Sequence, residues 1–260
     1  TYYVNINAEG GGDGSEGSPF SSIQTAIDAS STTIADMIFV HAGTYPGDIT
    51  VDHNVKIISI DGQDATVITG QGQSRVVTIS DGIDNTTTID GFTLINGDGG
   101  EKGGALLVEN ASPILRNLDV RGNQAQKGGG VYLENSNAVF ESVSVTGNYT
   151  SSFGGKGGAL YIENSAINMD YVTISGNYAP DGGGIFVAEQ NNELVISNSI
   201  IWNNYDDFGN GQNGIGFNEA GETIFMKFIN SNIQDNPSSY PDNVQINAGL
   251  DEYYLHTNPK

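Results

Sequence analysis

The sequence predicts an all-β parallel solenoid in which each repeat of the chain forms one coil. Three stretches are nearly identical: GEKGGALLVEN (100–110), AQKGGGVYLEN (125–135) and GGKGGALYIEN (154–164), with APDGGGIFVAE (179–189) as a weaker fourth copy. A second series interleaves with the first in matching steps, and its units end at Asn123, Asn148, Asn177 and Asn204. Self-similarity at a period of roughly 20–50 residues is typical of such repeat folds.

Within each unit, apolar residues alternate with other residues at a period of two, which predicts short β-strands. We predict these strands at 105–109, 130–134, 159–163 and 184–188, in register with one another. One inward column would contain Leu106, Val131, Leu160 and Ile185. The repeats leave no room for crossover helices, so each strand pairs with its counterpart in the next coil and the apolar columns form a continuous core.

The repeated asparagines and glycines have structural explanations. Equivalent carboxamides in coils about 4.8 Å apart can hydrogen-bond as a ladder, and Asn tolerates left-handed turns. We therefore predict internal or turn ladders for two columns, namely Asn110, Asn135 and Asn164, and the residues that end the second series. The glycine pairs begin at Gly103, Gly128, Gly157 and Gly182. They are predicted to serve turns of positive φ or close backbone contacts.

The 260 residues are predicted to form a single domain without a linker. Residues 1–35 would supply an N-terminal strand, a loop and a capping helix, residues 36–236 the coils, and residues 237–260 a C-terminal cap. Ser21 or Ser22 is the expected N-cap of the helix, and Ile23, Ala26 and Ile27 would form its apolar face. Such a helix would cover the open end that every solenoid must protect.

Composition excludes several classes of function. The chain has 31 acidic and 9 basic residues and a net charge of −22, so it would repel nucleic acid and anionic lipid. It would also repel a polyuronate unless cations intervene. There is no cysteine, which excludes disulfides and thiol catalysis. No apolar run approaches the roughly 20 residues of a membrane span, so no membrane insertion is predicted.

The GGA[ILV] and φ-x-x-N units resemble the repeats of bacterial right-handed parallel β-helix proteins, including the polymorphic outer-membrane-protein repeats of autotransporter passengers. The segment YYVNINAEGGGDGSEGSPFSSIQTAIDAS resembles the start of secreted pectate-lyase-like proteins. The resemblance implies a single-stranded right-handed parallel β-helix with a short N-terminal capping α-helix. It also implies a secreted or cell-surface bacterial protein. It does not specify an activity, because this fold includes lyases, hydrolases, epimerases and inert passengers.

Lyases of this fold abstract a proton with Arg or Lys, usually aided by Ca²⁺, so the resemblance directs attention to the basic residues. Five of the nine lie between 102 and 156. The candidate catalytic residues are Lys102, Arg121, Lys127 and Lys156. The three lysines occupy one repeat position, and a solvated column is the alternative interpretation.

The outward side of the repeated strand supplies candidate binding residues. Leu107, Tyr132, Tyr161 and Phe186 share one outward column. The three rings could stack on successive sugar rings, with Glu134 and Glu163 beside them as hydrogen-bonding groups. The alternative is that the rings stack on one another and stabilise neighbouring coils.

Calcium is the predicted cofactor. Glu109, Glu134 and Glu163 lie in register, and their mutual repulsion could be relieved by nearby lysines, by splayed side chains or by Ca²⁺. A second candidate is the loop GGGDGSEGS, where Asp13 and Glu16 alternate with glycine. Oxygen ligands of this kind are those that Ca²⁺ prefers.

The sequence therefore favours an extracellular or cell-surface module for adhesion or polysaccharide binding. Its partner would be a polysaccharide or a host or cell-surface glycan, with no role for nucleic acid. The chain would act as a monomer or as part of a longer surface protein. The alternatives are a Ca²⁺-dependent polysaccharide lyase or related carbohydrate-active enzyme, and a structural spacer.

Overall fold

The computed structural model describes residues 1–150, 153–188, 192–206, 214–217 and 224–234, and the backbone of two further strands, 244–248 and 254–255. In chain order its elements are β1 (Tyr2–Val4), α1 (Ile23–Ala29), β2 (Asp36–Val40), β3 (Gly43–Pro46), β4 (Ile49–Val51), β5 (Val55–Ser59), β6 (Thr66–Thr69), β7 (Val77–Ser80), β8 (Thr88–Asp90), β9 (Thr93–Ile95), β10 (Leu106–Glu109), β11 (Ile114–Arg116), β12 (Asp119–Arg121), β13 (Gln124–Ala125), β14 (Val131–Glu134), β15 (Val139–Glu141), β16 (Ser144–Thr146), β17 (Tyr149–Thr150), β18 (Leu160–Glu163), β19 (Ala166–Asp170), β20 (Thr173–Ser175), β21 (Ile185–Ala188), β22 (Glu193–Ser197), β23 (Ile200–Trp202), β24 (Ile215–Phe217), β25 (Ile224–Ile229), β26 (Asn232–Ile233), β27 (Val244–Ala248) and β28 (Tyr254–Leu255).

The strands form three long parallel sheets that wind together as a right-handed β-helix. Sheet 1 has the order β1-β2-β5-β8-β11-β15-β19-β22-β25-β27, sheet 2 the order β24-β21-β18-β14-β10-β7-β4, and sheet 3 the order β28-β26-β23-β20-β16-β12-β9-β6-β3. A regular coil such as β10-β11-β12 therefore gives one strand to each sheet. A small pair, β13-β17, lies after sheet 3.

The predicted register of the repeats is confirmed. Leu106 pairs with Val131, Val131 with Leu160, and Leu160 with Ile185. The four repeated strands begin one residue later than predicted, at Leu106, Val131, Leu160 and Ile185. Their inward side chains are fully buried and belong to one apolar core that continues from Val4 to Ile233. Burial of these columns is the main force that holds the coils together.

Both predicted asparagine ladders are confirmed. The internal ladder, Asn123–Asn148–Asn177–Asn204, is buried, and each Nδ2 donates to the next Oδ1 at 2.9, 3.1 and 2.9 Å. The surface ladder, Asn110–Asn135–Asn164, lies at the turn from sheet 2 to sheet 1, where φ is 52°, 50° and 48°. Asn135 Nδ2 donates to Asn110 Oδ1 at 3.0 Å, and Asn164 Nδ2 donates to Asn135 Oδ1.

The two glycines of each pair have different functions. Gly157 has a φ of 68°, which a residue with a side chain rarely adopts. A Cβ atom on Gly158 would collide with the carbonyl oxygen of Gly183 in the next coil. The first glycine therefore permits the turn and the second permits adjacent backbones to approach each other, as predicted.

The N-terminal helix is also confirmed. Ser22 is its N-cap and accepts a hydrogen bond from the backbone N–H of Thr25. Ile23, Ala26 and Ile27 are buried, and α1 contacts β1, β2 and β4 at the start of the solenoid. In the part of the chain that the structure describes, no helix is long and apolar enough to span a membrane.

The C-terminal boundary differs from the prediction. β27 pairs with β25 in sheet 1, and β28 pairs with β26 in sheet 3, so coils continue beyond residue 236. The change from coils to a cap was predicted too early. The last units lose the KGG motif and the Gly-Asn pair of residues 122–123, 147–148 and 176–177, while the alternation of apolar residues continues. The rest of the predicted cap, 237–243, 249–253 and 256–260, lies outside the described residues.

Candidate functional site

The repeated KGG…EN motif places three columns of side chains along the outer side of sheet 2. The aromatic column contains Leu107, Tyr132, Tyr161 and Phe186, which pair in register from coil to coil. The glutamate column contains Glu109, Glu134 and Glu163, two residues further along the same strands. The lysine column contains Lys102, Lys127 and Lys156, which pair as isolated parallel bridges before the strands.

The rings of the aromatic column are stacked and buried. The ring centroids of Tyr132 and Tyr161 are 5.0 Å apart with planes at 6°, and those of Tyr161 and Phe186 are 5.4 Å apart at 15°. The three residues are only 1%, 5% and 0% exposed. Both faces of Tyr161 are therefore covered by neighbouring rings. The rings therefore stack on one another between neighbouring coils, as the alternative interpretation predicted. The prediction that sugar rings stack on Tyr132, Tyr161 and Phe186 is wrong, because these rings are buried.

The lysine column covers these rings. Lys102 Nζ lies 4.7 Å from the ring centroid of Tyr132, Lys127 Nζ 5.3 Å from that of Tyr161, and Lys156 Nζ 4.2 Å from that of Phe186. Each lysine thus contacts the aromatic residue of the following coil. Cation–π contacts of this kind are worth about 0.5–1 kcal/mol each at exposed sites.

Lys102 and Tyr132 also supply hydrogen bonds to the glutamate column. Lys102 Nζ donates to Glu109 Oε1 at 2.6 Å and to Glu134 Oε2 at 2.8 Å. Tyr132 Oη donates to Glu163 Oε2 at 2.7 Å. The repulsion expected among these in-register carboxylates is therefore relieved by an ammonium group and a phenolic hydroxyl.

These contacts shift the titration of the groups involved. Burial lowers the pKa of Lys102, but the hydrogen bonds to Glu109 and Glu134 outweigh it and raise that pKa to about 12. The hydrogen bond from Lys102 lowers the pKa of Glu134. Burial, followed by the hydrogen bond to Glu163, raises the pKa of Tyr132. Lys102 is therefore protonated at neutral pH and cannot accept a proton as a general base.

The basic residues that cluster in the sequence are separated in the structure. Arg121 lies on the outer side of sheet 3, where Nε donates to Asp119 Oδ2 at 2.7 Å. Arg116 lies on sheet 1 and pairs with Glu141 at 2.7 Å. Only Lys102, Lys127 and Lys156 share a face. One coil of about 25 residues contributes a strand to each of the three sheets. Basic residues that are close in the sequence can therefore lie on different faces of the solenoid.

Most of the predicted calcium ligands are engaged by other protein groups, and calcium binding stays a prediction. Lys102 joins Glu109 to Glu134, and Tyr132 engages Glu163, so these carboxylates already have partners. In the N-terminal loop, Asp13 accepts hydrogen bonds from Ser15, and these lower its pKa, while Glu16 is exposed. Among the described residues, no three Asp, Glu, His or Cys side chains converge as metal ligands. Water or backbone carbonyls would have to supply most of the 6–8 oxygens that Ca²⁺ takes at either set.

A second column of aromatic residues was missed by the sequence analysis. Tyr149, Tyr178 and Tyr205 pair in register at the turn that leads out of sheet 3. They are 41%, 39% and 39% exposed. We call them the tyrosine ladder. Each tyrosine directly follows an asparagine of the internal ladder, in the triplets GNY (147–149), GNY (176–178) and NNY (203–205). This repeated Asn-Tyr pair was the sequence signal that could have predicted the tyrosine ladder.

A surface groove of about 340 Å³ adjoins the tyrosine ladder. It is lined by Gln71, Gly72, Asn96, Gly97, Gly122, Gln124 and Tyr149. Gln124 pairs with Tyr149 in the small sheet, so the groove continues the line of the ladder towards the N-terminus. Gln124 Nε2 donates to Asp98 Oδ2 at 2.8 Å, which fixes the orientation of its amide. No lining residue is charged.

Ser30, His53 and Asp52 form a hydrogen-bonded group between α1 and the first coils. Ser30 Oγ lies 2.6 Å from His53 Nε2, and His53 Nδ1 lies 2.7 Å from Asp52 Oδ1. This is the order of groups used in nucleophilic catalysis. However, Ser30 Oγ also lies 2.7 Å from the carbonyl oxygen of Ile27 and is engaged at the end of α1. We interpret the group as a structural connection.

Comparison with known proteins gives similarity at the level of structure. No family model matches the sequence, and no curated protein matches it. The pectate lyase Pel9A is 16% identical over 94% of this chain and 67% of its own, with a TM-score of 0.65. The carrot pectin methylesterase is 14% identical over 98% of this chain and 82% of its own, with a TM-score of 0.55.

The pectin methylesterase PemA from Erwinia chrysanthemi is 13% identical over 100% of this chain and 92% of its own, with a TM-score of 0.57. At such low identities the similarity concerns the fold and not the activity. The resemblance to autotransporter passenger repeats stays a prediction. The chain therefore has the parallel β-helix fold that these three proteins share.

Proposed function

We propose that this chain is an extracellular or cell-surface module that binds polysaccharide without chemically altering it. The observation that carries the proposal is the repetition of surface side chains in register along successive coils. A linear polysaccharide presents the same chemical groups at regular intervals, so a surface that repeats about every 4.8 Å can contact successive sugar residues in the same way. Attachment to a glycan on another cell would make the same module an adhesin.

The similar structures support a polysaccharide as the partner. They are named as a pectate lyase and pectin methylesterases, and these names refer to enzymes that act on a polysaccharide. The net charge of −22 disfavours a polyuronate and favours uncharged or esterified chains. The alternative, a lyase, receives less support because Lys102 is held protonated and Arg121 lies on another sheet from the lysine column.

Affinity electrophoresis with soluble polysaccharides tests the proposal. The protein would be run in gels containing an uncharged β-glucan, an uncharged galactan, methyl-esterified pectin or polygalacturonate, with and without Ca²⁺. We expect slower migration with at least one uncharged or esterified polymer. A parallel absorbance assay should detect no unsaturated uronate product. Release of such products would favour the lyase, and unchanged migration in every gel would contradict the proposed binding.

A further inference from the structure

We propose that the tyrosine ladder and the groove beside it bind an extended, uncharged polysaccharide that lies along the solenoid axis. This inference rests on the proposed function and names its site and its class of ligand. The site differs from the aromatic column, whose rings are covered and therefore closed to sugars.

The geometry of the ladder suits an extended chain. Neighbouring coils are about 4.8 Å apart, so three tyrosines in register form a row along the axis rather than a single contact point. Gln124 precedes Tyr149 in the same row, and Asp98 precedes Gln124. The row therefore passes through five coils, from Asp98 to Tyr205, with the groove at its N-terminal half. An extended polymer could contact all of it without bending.

The chemistry of the row suits sugar residues. Tyrosine combines an apolar ring with a polar hydroxyl, so it contacts both the C–H face and the hydroxyl groups of a sugar. The amides of Gln71, Asn96 and Gln124 can each donate and accept hydrogen bonds, as sugar hydroxyls do. Three of the lining residues are glycines, which let a ligand approach the backbone closely. Apolar surface with a few polar groups is the usual composition of a ligand site.

The electrostatics select an uncharged ligand. The groove has no charged lining residue. Arg75, which lies in the same part of the solenoid, donates from Nε and Nη2 to the backbone carbonyls of Lys102, Gly103 and Gly99. Its guanidinium is therefore engaged by the protein. A uronate placed in this row would meet no cation from the lining residues and would be repelled by the net charge of −22.

The first test compares two tyrosine variants of the whole chain. Tyr149→Ala/Tyr178→Ala removes two exposed rings from the ladder. The matched control is Tyr171→Ala, because Tyr171 is 65% exposed but lies at the turn between sheets 1 and 3. Affinity for the uncharged β-glucan or galactan that retards the wild type should fall at least tenfold in the double variant. It should stay within twofold in the control.

The second test uses the wild-type protein and does not depend on whether a variant folds. Tyrosine nitration would be followed by mass spectrometry with and without the same polysaccharide. The polymer should protect Tyr149 and Tyr178 from nitration and leave Tyr171 unprotected. Equal modification of all three in the presence of bound polymer would overturn the inference.

The outcomes separate this inference from the proposed function. If the wild type binds polysaccharide while the double variant binds equally well, the site is wrong and the function stands. If the double variant and Tyr171→Ala lose affinity equally, the site is also wrong. If the wild type binds none of the polymers, the proposed function itself fails, and this inference fails with it.

Discussion

The aromatic column and the tyrosine ladder use the same type of residue in the same coils, yet their surroundings are opposite. Tyr132 and Tyr161 are 1% and 5% exposed, whereas Tyr149 and Tyr178 are 41% and 39% exposed. The first pair lies in the middle of a sheet strand, under lysine side chains, and the second lies at a turn. The comparison shows that the position in the coil and the covering side chains, and not the type of residue, decide whether an aromatic ring is buried or exposed.

The largest expected effect is the loss of a ring from the middle of the aromatic column. Tyr161→Ala would leave a cavity between Tyr132 and Phe186, and deletions of large buried aromatic side chains cost about 3–5 kcal/mol. The free energy of unfolding from urea denaturation measures this effect. Tyr161→Phe, which keeps the ring, should retain most of the stability. A loss below about 1 kcal/mol for Tyr161→Ala would show that the stack is not structural.

The next effect concerns the internal ladder that supports the tyrosine ladder. Asn148→Ala removes the Oδ1 atom that accepts from the backbone N and the Nδ2 of Asn123. A buried donor without a partner costs about 1–3 kcal/mol. The control is Asn135→Gly in the surface ladder, where water replaces the lost partner and glycine keeps the positive φ. Equal losses of stability in the two variants would contradict the distinction between internal and surface ladders.

Most of the fold could be predicted from the sequence because the coils are repeats of one another. Register, core columns and both asparagine ladders follow from the repeat period and from the turn preferences of Asn and Gly, and the capping helix follows from its serine N-cap and its apolar face. The last coils were harder to predict because only the alternation of apolar residues remains in them after the KGG and GN motifs are lost.

The candidate site was less predictable because alternation shows which way a side chain points but not what lies over it. The outward direction of Tyr132 and Tyr161 was correct, but their cover came from lysines of the preceding coil. Arg121 was grouped with Lys102 although their positions in the coil place them on different sheets. Tyr149 follows an asparagine at a turn, where no strand pattern indicated its exposure.

A smaller effect, with a distinct pH dependence, is expected for Lys102→Met. The partly exposed ion pairs of Lys102 should contribute about 1 kcal/mol or less at neutral pH. The folded-state pKa of Glu134 is lowered. The stabilisation that ionised Glu134 gives to the folded state is therefore complete above its unfolded pKa of about 4.3, and it is lost as the pH falls through the folded-state pKa. The variant should therefore lose less stability on acidification than the wild type does.

Melting temperatures between about pH 3 and pH 7 measure this difference. At the alkaline end, the contribution of Lys102 is complete below its unfolded pKa of about 10.4 and is lost as the pH rises through about 12. Lys227→Met, on sheet 1, serves as a charge-matched control. Parallel acid profiles for the wild type and Lys102→Met would show that the network does not affect stability.

The smallest effect on stability is expected in the tyrosine ladder. Tyr149→Ala removes an exposed ring, and surface substitutions usually change stability by about 0.5 kcal/mol or less. Urea denaturation of Tyr149→Ala and Tyr161→Ala under the same conditions measures the comparison directly. We expect the free energy of unfolding to change little in Tyr149→Ala and to fall strongly in Tyr161→Ala. A loss above about 2 kcal/mol at position 149 would place Tyr149 among the structural residues.

The internal asparagine ladder also determines how the length of this molecule can change. In Asn148 and Asn177, each carboxamide donates towards the following coil and accepts from the preceding one. A deletion of part of a coil would leave a buried asparagine amide without its hydrogen-bond partner. A deletion of one whole repeat would instead bring two equivalent asparagine amides into hydrogen-bonding distance. Gene duplication can therefore lengthen the molecule one complete coil at a time, and a duplicated unit that contains Tyr149 or Tyr178 would add one residue to the tyrosine ladder.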